Sequence, residues 1–369
     1  MNPLLQYLSG FIQNSFPIYS FIVGKLKLVK EPNRYKITAS ALFVFSFFQV
    51  FFMQSLWMLV AAFVFSLMAV CVKLVSDTYS TPEIVMYRSL IGAIFLFCMV
   101  LAKGGSFKTK YPLQHLWRGT VGATAFGLWF FSMSQLPLAT SITLNYMSPI
   151  WIAAILFGIG LFHGRLQFEW RLACAIVASF IGIYILLQPT LAEDQWFGAL
   201  IAFISGILAA LAYLQVKHLG NLGEPEYRVV FYFCMIGTVG GAIMAVIAAH
   251  MPGGDGIPFH GHSLLSVFYL IFIGVSAALG QMAMTRAYHL GNTLVTANLQ
   301  YSGIVFSCIW GLLIWNDTLS WHGWLGIAII IASGVTTTFF DVRHRMAATA
   351  ATYDAAKKKL SRQSQPEKA

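Results

Sequence analysis

Few residues in this 369-residue chain are equipped for chemistry, and their apolar setting narrows what that chemistry is. Lys73 and Arg88 stand within or near the ends of long apolar stretches. A cation there is costly unless it pairs, faces a wet cavity or snorkels to the membrane surface, which Lys73, nearer its helix end, does more easily. A guanidinium grips a carboxylate through two parallel hydrogen bonds, which an ammonium cannot do. Pointing inward, the two would form a cationic vestibule for carboxylate or phosphate groups. The other polar groups at this depth are the amides Asn145, Gln281, Asn298 and Gln300 and the phenols Tyr146, Tyr213, Tyr288 and Tyr301. In hydrocarbon each must find a partner or face water. Two readings stay open for Asn145 and Asn298: helix-to-helix glue, or amides that orient a substrate. Trp129 and Trp310 could add an aromatic wall. Pro149 frees a backbone carbonyl, for packing or as a gating hinge.

What is missing is equally informative. There is no HExxH, no GxSxG and no buried carboxylate pair, so no catalytic residues are assigned and the chain is not read as an enzyme. His250, Asp255, His260 and His262 share one loop rich in Gly and Pro, which reads as solvated rather than metal-binding. No metal and no cofactor are expected. The five cysteines are scattered through apolar runs without a CxxC pair and read as small core hydrophobes. No Asp or Glu falls well inside an apolar run, which favours facilitated diffusion or exchange over tight proton coupling, with His289 the one alternative titratable group.

These residues must be positioned by membrane helices. The chain is 58% hydrophobic and 10% charged, whereas a soluble domain is about 25% charged. Cutting at charges and at Pro and Gly clusters yields ten spans, roughly 57–76, 84–102, 116–135, 140–161, 171–189, 197–217, 228–249, 264–287, 294–315 and 322–340. Each has about the length that crosses ~30 Å of hydrocarbon. Connectors alternate in charge: one set holds Lys103, Lys108, Lys110, Arg165, Arg171, Lys217, Arg228 and Arg286, the other Glu193, Asp194, Asp255 and Asp317. Lys73 and Arg88 are the basic residues on the second side. The positive-inside rule then predicts a multi-pass protein of the cytoplasmic (inner) membrane with both termini cytoplasmic. The net charge of +10 sits largely in two tails, including Lys25, Lys27 and Lys30 at one end and Lys357, Lys358 and Lys359 at the other. No basic groove interleaved with aromatics is visible, so nucleic acid is not an expected partner.

Residues 1–53 stand apart. The uncharged run from Ala41 to Val72 is 32 residues, about 48 Å as helix, too long for one span and too short for two. The working protein is expected to begin at Met53 or Met58, the upstream part being a start-site artefact or a lineage-specific leader; the alternative is an interfacial anchor around Tyr7–Lys30.

An internal repeat is legible. Phe65–Lys73 followed by Pro82-Glu83 parallels Leu208–Lys217 followed by Pro225-Glu226. Leu138–Asn145 parallels Gly291–Asn298, and each half ends on a span with a late glycine, Gly182 or Gly334. Each half holds five spans, an odd number, so the second copy is inverted in the bilayer. That is a transporter architecture, with the site near the midplane between halves.

With Lys73, Arg88, Pro82-Glu83, the block Leu136-Pro137-Leu138-Ala139-Thr140 through Ser148-Pro149, and the five-plus-five duplication, the chain resembles the drug/metabolite transporter superfamily in its EamA-type ten-helix branch. The resemblance covers about 57–341. It implies export of small metabolites, often amino acids or related solutes. The expectation is therefore an all-α integral membrane protein with ten transmembrane helices in two inverted five-helix repeats. Its parts are a doubtful leader (1–53), the repeats (57–190 and 196–341) and a basic cytoplasmic tail (342–369). Alternating access proceeds through a central cavity lined by Arg88, Lys73, Asn145, Tyr146, Gln281, Asn298, Gln300, Tyr301 and Trp129, with Pro149 as hinge. A small-molecule substrate, the lipid bilayer and a homodimer are the expected partners. A non-transporting interaction or regulatory protein and a membrane-embedded enzyme on lipid-like substrates stay open as alternatives.

Overall fold

The computed structural model describes residues 54–162, 170–189, 192, 195–251, 256–316 and 318–363, with the backbone alone for 134, 138 and 344–363. The leader, and with it the question of an artefact or an anchor, lies outside the described residues. After a 3-10 turn, Gln54–Leu56, come α1 (Trp57–Val75), α2 (Thr81–Ala102), α3 (Pro112–Gln135), α4 (Leu138–Asn145), α5 (Ser148–Phe162) and α6 (Trp170–Leu187). The second half is α7 (Trp196–Asn221), α8 (Glu226–His250), α9 (Leu264–Leu290), α10 (Thr293–Leu299), α11 (Ser302–Trp315) and α12 (Trp321–Gln363). Among the described residues, nine helical segments are long and apolar enough to cross a membrane, α4 with α5 and α10 with α11 each counting as one. The tenth crossing is α3, 24 residues long, whose first two turns are diluted by Gln114, His115 and Arg118.

Local chemistry sets the helix ends. Pro82 and Pro112 stand in first turns, where their missing N–H is no loss. The Asn292 side chain caps α10 by accepting from the N–H groups of Leu294 and Val295. Asn316, at φ 53°, ends α11 in the left-handed conformation that asparagine tolerates. The predicted fourth and ninth spans are not continuous. Each breaks after a short first piece, at Tyr146–Met147 and at Gln300–Tyr301. The expected last span also differs: α12 runs unbroken to Gln363, so the segment after 341 continues the helix of the last span.

The two halves pack as the inversion requires. α1 lies on α9 and α3 on α7, two contacts that exchange under a two-fold axis. α2 pairs with α8, and α6 with α12, across that same axis. With ten crossings, the 103–111 and 222–225 connectors share one face, here the basic face, with the 76–80 and 251–263 connectors opposite. The short pieces α4 and α10 then enter from opposite faces. Small residues permit these approaches. A Cβ on Gly182 would come within 2.9 Å of Gly326 O, so α6 and α12 touch backbone to backbone. On α8, Gly241 meets the Met86 backbone of α2 and Gly237 the Ser89 side chain, which makes that pair a packing surface.

Candidate functional site

Between α3, α4, α7 and α9 lies a cavity of about 40 Å³, room for only a few waters. Arg118, Phe126 and Trp129 face it from α3, Asn145 from α4, Tyr213 from α7 and Gln281 from α9. Gly122, Ala125, Ala209 and Ala212 open the space. A neighbouring apolar crevice between α2, α3 and α8 holds Arg88, and Phe126 is shared by both.

Arg118 dominates the first cavity electrostatically. It is 3% exposed, and its Nε has no hydrogen-bond partner. Its guanidinium carbon lies 4.3 Å from the Phe233 ring centroid. None of the ion pairs among the described residues involves it. Any Cβ at Gly122, one turn on, would collide with Arg118 Nη1, so the glycine makes the seat for the guanidinium. A span drawn from 116 leaves Arg118 at the membrane edge, which is why sequence reasoning passed over it. Pro112 is the signal that starts the helix a turn earlier and carries Arg118 inside.

The predicted site residues distribute unevenly. Asn145, Gln281 and Trp129 meet at the cavity; Asn145 donates to Ser205 Oγ at 2.6 Å, while Trp129 Nε1 is buried without a partner. Gln300 stands behind Tyr213, donating to its hydroxyl at 3.3 Å and accepting from Tyr288 at 3.2 Å. Tyr213 and Tyr288 stack with centroids 5.3 Å apart, and Tyr146 stacks on Tyr301 at 6.3 Å. Tyr146, Gln300 and Tyr301 thus all sit at the two helix breaks. Pro149 is the second residue of α5, immediately after the first break, where a proline costs no helical bond. Asn298 does not mirror Asn145. Its amide donates to Ser333 at 3.3 Å and Thr337 at 3.0 Å on α12, within its own repeat. Arg88 lies over Phe126 at 5.1 Å in the adjoining crevice. Lys73 is exposed at the end of α1, its Nζ 3.8 Å above the Trp315 ring. Trp310 donates to Ser66 Oγ at 2.9 Å, between α11 and α1.

Two carboxylates invisible as site residues in the sequence tie loops together on the opposite faces. On the basic face Glu224, 4% exposed, accepts from Arg228 Nη1 at 2.9 Å and Thr109 Oγ1 at 2.8 Å, and contacts His115 Nε2 at 3.1 Å. Arg228 also donates to Ser106 O at 2.8 Å, tying the start of α8 to the α2–α3 loop. Burial pushes the Glu224 carboxyl up, but its hydrogen bonds and the Arg228 charge outweigh that and hold it below the ordinary carboxylate value. On the other face Glu83, fully buried, accepts from the His260 backbone N–H at 2.8 Å and contacts its Nδ1 at 2.8 Å. His262 lies between the hydroxyls of Tyr79 at 2.8 Å and Tyr87 at 3.2 Å. The loop read as solvated is therefore pinned to the start of α2. The acids do sit at helix ends, as expected, but they are buried there. Each clamp joins the first hairpin connection of one repeat to a loop of the other, but the acids are not repeat counterparts, since Glu83 parallels Glu226.

Sequence comparison matches the profile of the EamA-like transporter family twice along the chain, at residues 52–188 and 196–339. The chain belongs to the EamA-like transporter family. It is thus a multi-pass membrane transporter and not an enzyme, and its two family repeats are the two halves of the fold. Among relatives, a pseudopaline exporter of Pseudomonas aeruginosa is 29% identical over 275 residues, covering 74% of this chain and 91% of that protein. A riboflavin transporter of Rhizobium johnstonii is 25% identical over 79% of this chain and 91% of its own length. The human solute carrier family 35 member G1 is 24% identical over 75% of this chain and 76% of its own. One crystal structure of a protein superposes with TM-score 0.66 at 16% identity, over 78% of this chain and 98% of that one, a likeness of fold.

Proposed function

We propose that this EamA-like protein exports small organic solutes, amino acids or related metabolites, across the cytoplasmic membrane by alternating access. The basic face is the cytoplasmic one, so both termini are cytoplasmic, with 342–369 as a basic tail beyond repeats at 57–190 and 196–341. The observation that carries this reading is the cavity between the halves, with Asn145, the last residue before the first helix break, in its wall beside Arg118 and Gln281. Free backbone groups and polar side chains at mid-membrane are tolerated where they line such a cavity. Asn145, Gln281 and Trp129 contact the solute. Tyr146, Gln300 and Tyr301 support the wall behind them, Asn298 holds α10 to α12, and Arg88 and Lys73 line the route toward the outer face. The relatives named as a pseudopaline exporter and a riboflavin transporter support small-metabolite cargo.

The two carboxylate clamps act as the gates. Both are formed in this structure, and the cavity measures about 40 Å³. Opening the Glu83 clamp gives access from outside and opening the Glu224 clamp gives access from the cytoplasm. The test places a cysteine at Ala125, in the cavity wall, after replacing the five native cysteines. A membrane-impermeant thiol reagent is expected to label it faster from outside in Glu83→Gln and faster from the cytoplasmic side in Glu224→Gln. Equal labelling from both sides in either variant would refute the gating.

A further inference from the structure

The charge of the cargo is legible in the cavity itself. Arg118 is a buried cation with no carboxylate partner among the described residues, and the Phe233 face at 4.3 Å is its one evident compensation. Such a face returns about 2 kcal/mol at best, while an uncompensated charge at this depth costs more. The rest of the cavity is also rich in donors. Trp129 Nε1 has an N–H with no acceptor, and Tyr213, already accepting from Gln300, has its own proton to give. Asn145 and Gln281 add amides. A site with surplus donors around a guanidinium is completed by an acceptor that carries negative charge.

We propose that Arg118 is the substrate-binding cation of the transporter, and that the cargo class is organic anions whose carboxylate or phosphate is the missing counter-ion. The proposal rests on the transport reading above. Gly122 belongs to the same device, since its missing Cβ is what lets the guanidinium lie against Phe233. The aromatic wall of Phe126, Trp129 and Tyr213 fits the apolar or planar body of such an anion. An anion so held also explains why a cation can be kept this deep: bound cargo neutralises it.

The test uses the full chain in sealed proteoliposomes, supplied with a small-solute extract of the expressing cells, with the accumulated solutes read by mass spectrometry against protein-free liposomes. The solutes gained are expected to carry a carboxylate or phosphate. Arg118→Gln should lower their uptake about tenfold or more, the loss that one charge-assisted contact represents. Gly122→Ala keeps the charge but displaces it, and should raise the concentration needed for half-maximal uptake; it also serves if Arg118→Gln does not fold, judged by a single symmetric elution peak. Uptake of neutral or cationic solutes alone, or anion uptake untouched by a folded Arg118→Gln and by Gly122→Ala, would overturn the assignment to Arg118. No uptake of anything by the wild-type chain would overturn the transport reading itself.

Discussion

At the scale of single residues, Glu224 shows how a carboxylate in a short connector becomes structural. Its three side-chain partners come from the α2–α3 loop (Thr109), α3 (His115) and α8 (Arg228). Hydrogen bonds to a charged group contribute about 1.5–3 kcal/mol, so Glu224→Gln should lower the melting temperature in detergent measurably. The pH dependence follows from the depressed folded-state value. The stabilisation is complete above the ordinary carboxylate range and is lost as pH falls through the lower folded value. Stability should therefore hold from neutral to weakly acid pH and drop only below it, a limb that Glu224→Gln removes. A melting temperature falling equally with acid in both proteins would contradict this. Arg118 makes the opposite point: its chemistry lies in a partner it lacks.

Helices and their breaks set where those residues stand. Asn145 ends α4 at the break before α5 and lines the cavity, while Tyr146, at the break itself, stacks on Tyr301. Backbone contact between α6 and α12 then fixes that pair, through Gly182 and Gly326. Adding a side chain there forces the helices apart, and overpacking of this kind costs about 1–3 kcal/mol. Gly182→Val should thus lower thermal stability, while the same change at Gly158, with nothing within 4 Å of its Cβ, should not. A stable Gly182→Val would mean the close approach is not formed.

For the whole molecule, two halves related by inversion carry a carboxylate clamp at each end, built from acids at non-equivalent repeat positions, Glu83 and Glu224. No carboxylate lines the central cavity among its described residues. Collapsing the pH gradient with the membrane voltage held should then leave substrate flux running. Loss of flux would assign proton coupling to the buried Glu83–His260 and Glu224–His115 pairs.

Membrane residence, the number of crossings and the duplicated, inverted build were all legible in the sequence, because each rests on local quantities: run length, charge between runs, and like residues at like positions. Asn145, Gln281 and Trp129 were also legible as polar or aromatic groups set deep in the apolar runs, and all three line one cavity. The environment of each was not. Asn145 and Asn298 occupy equivalent repeat positions, yet one faces across to the other repeat and the other into its own, because the packing around the two breaks differs. Lys73 and Arg118 look alike as charges near span ends, but one extends outward over Trp315 and the other folds inward over Gly122. Glu83 and Glu224 read as connector charges until a loop from the other repeat buries them. Those outcomes depend on which long-range surfaces meet, and only the tertiary structure decides that.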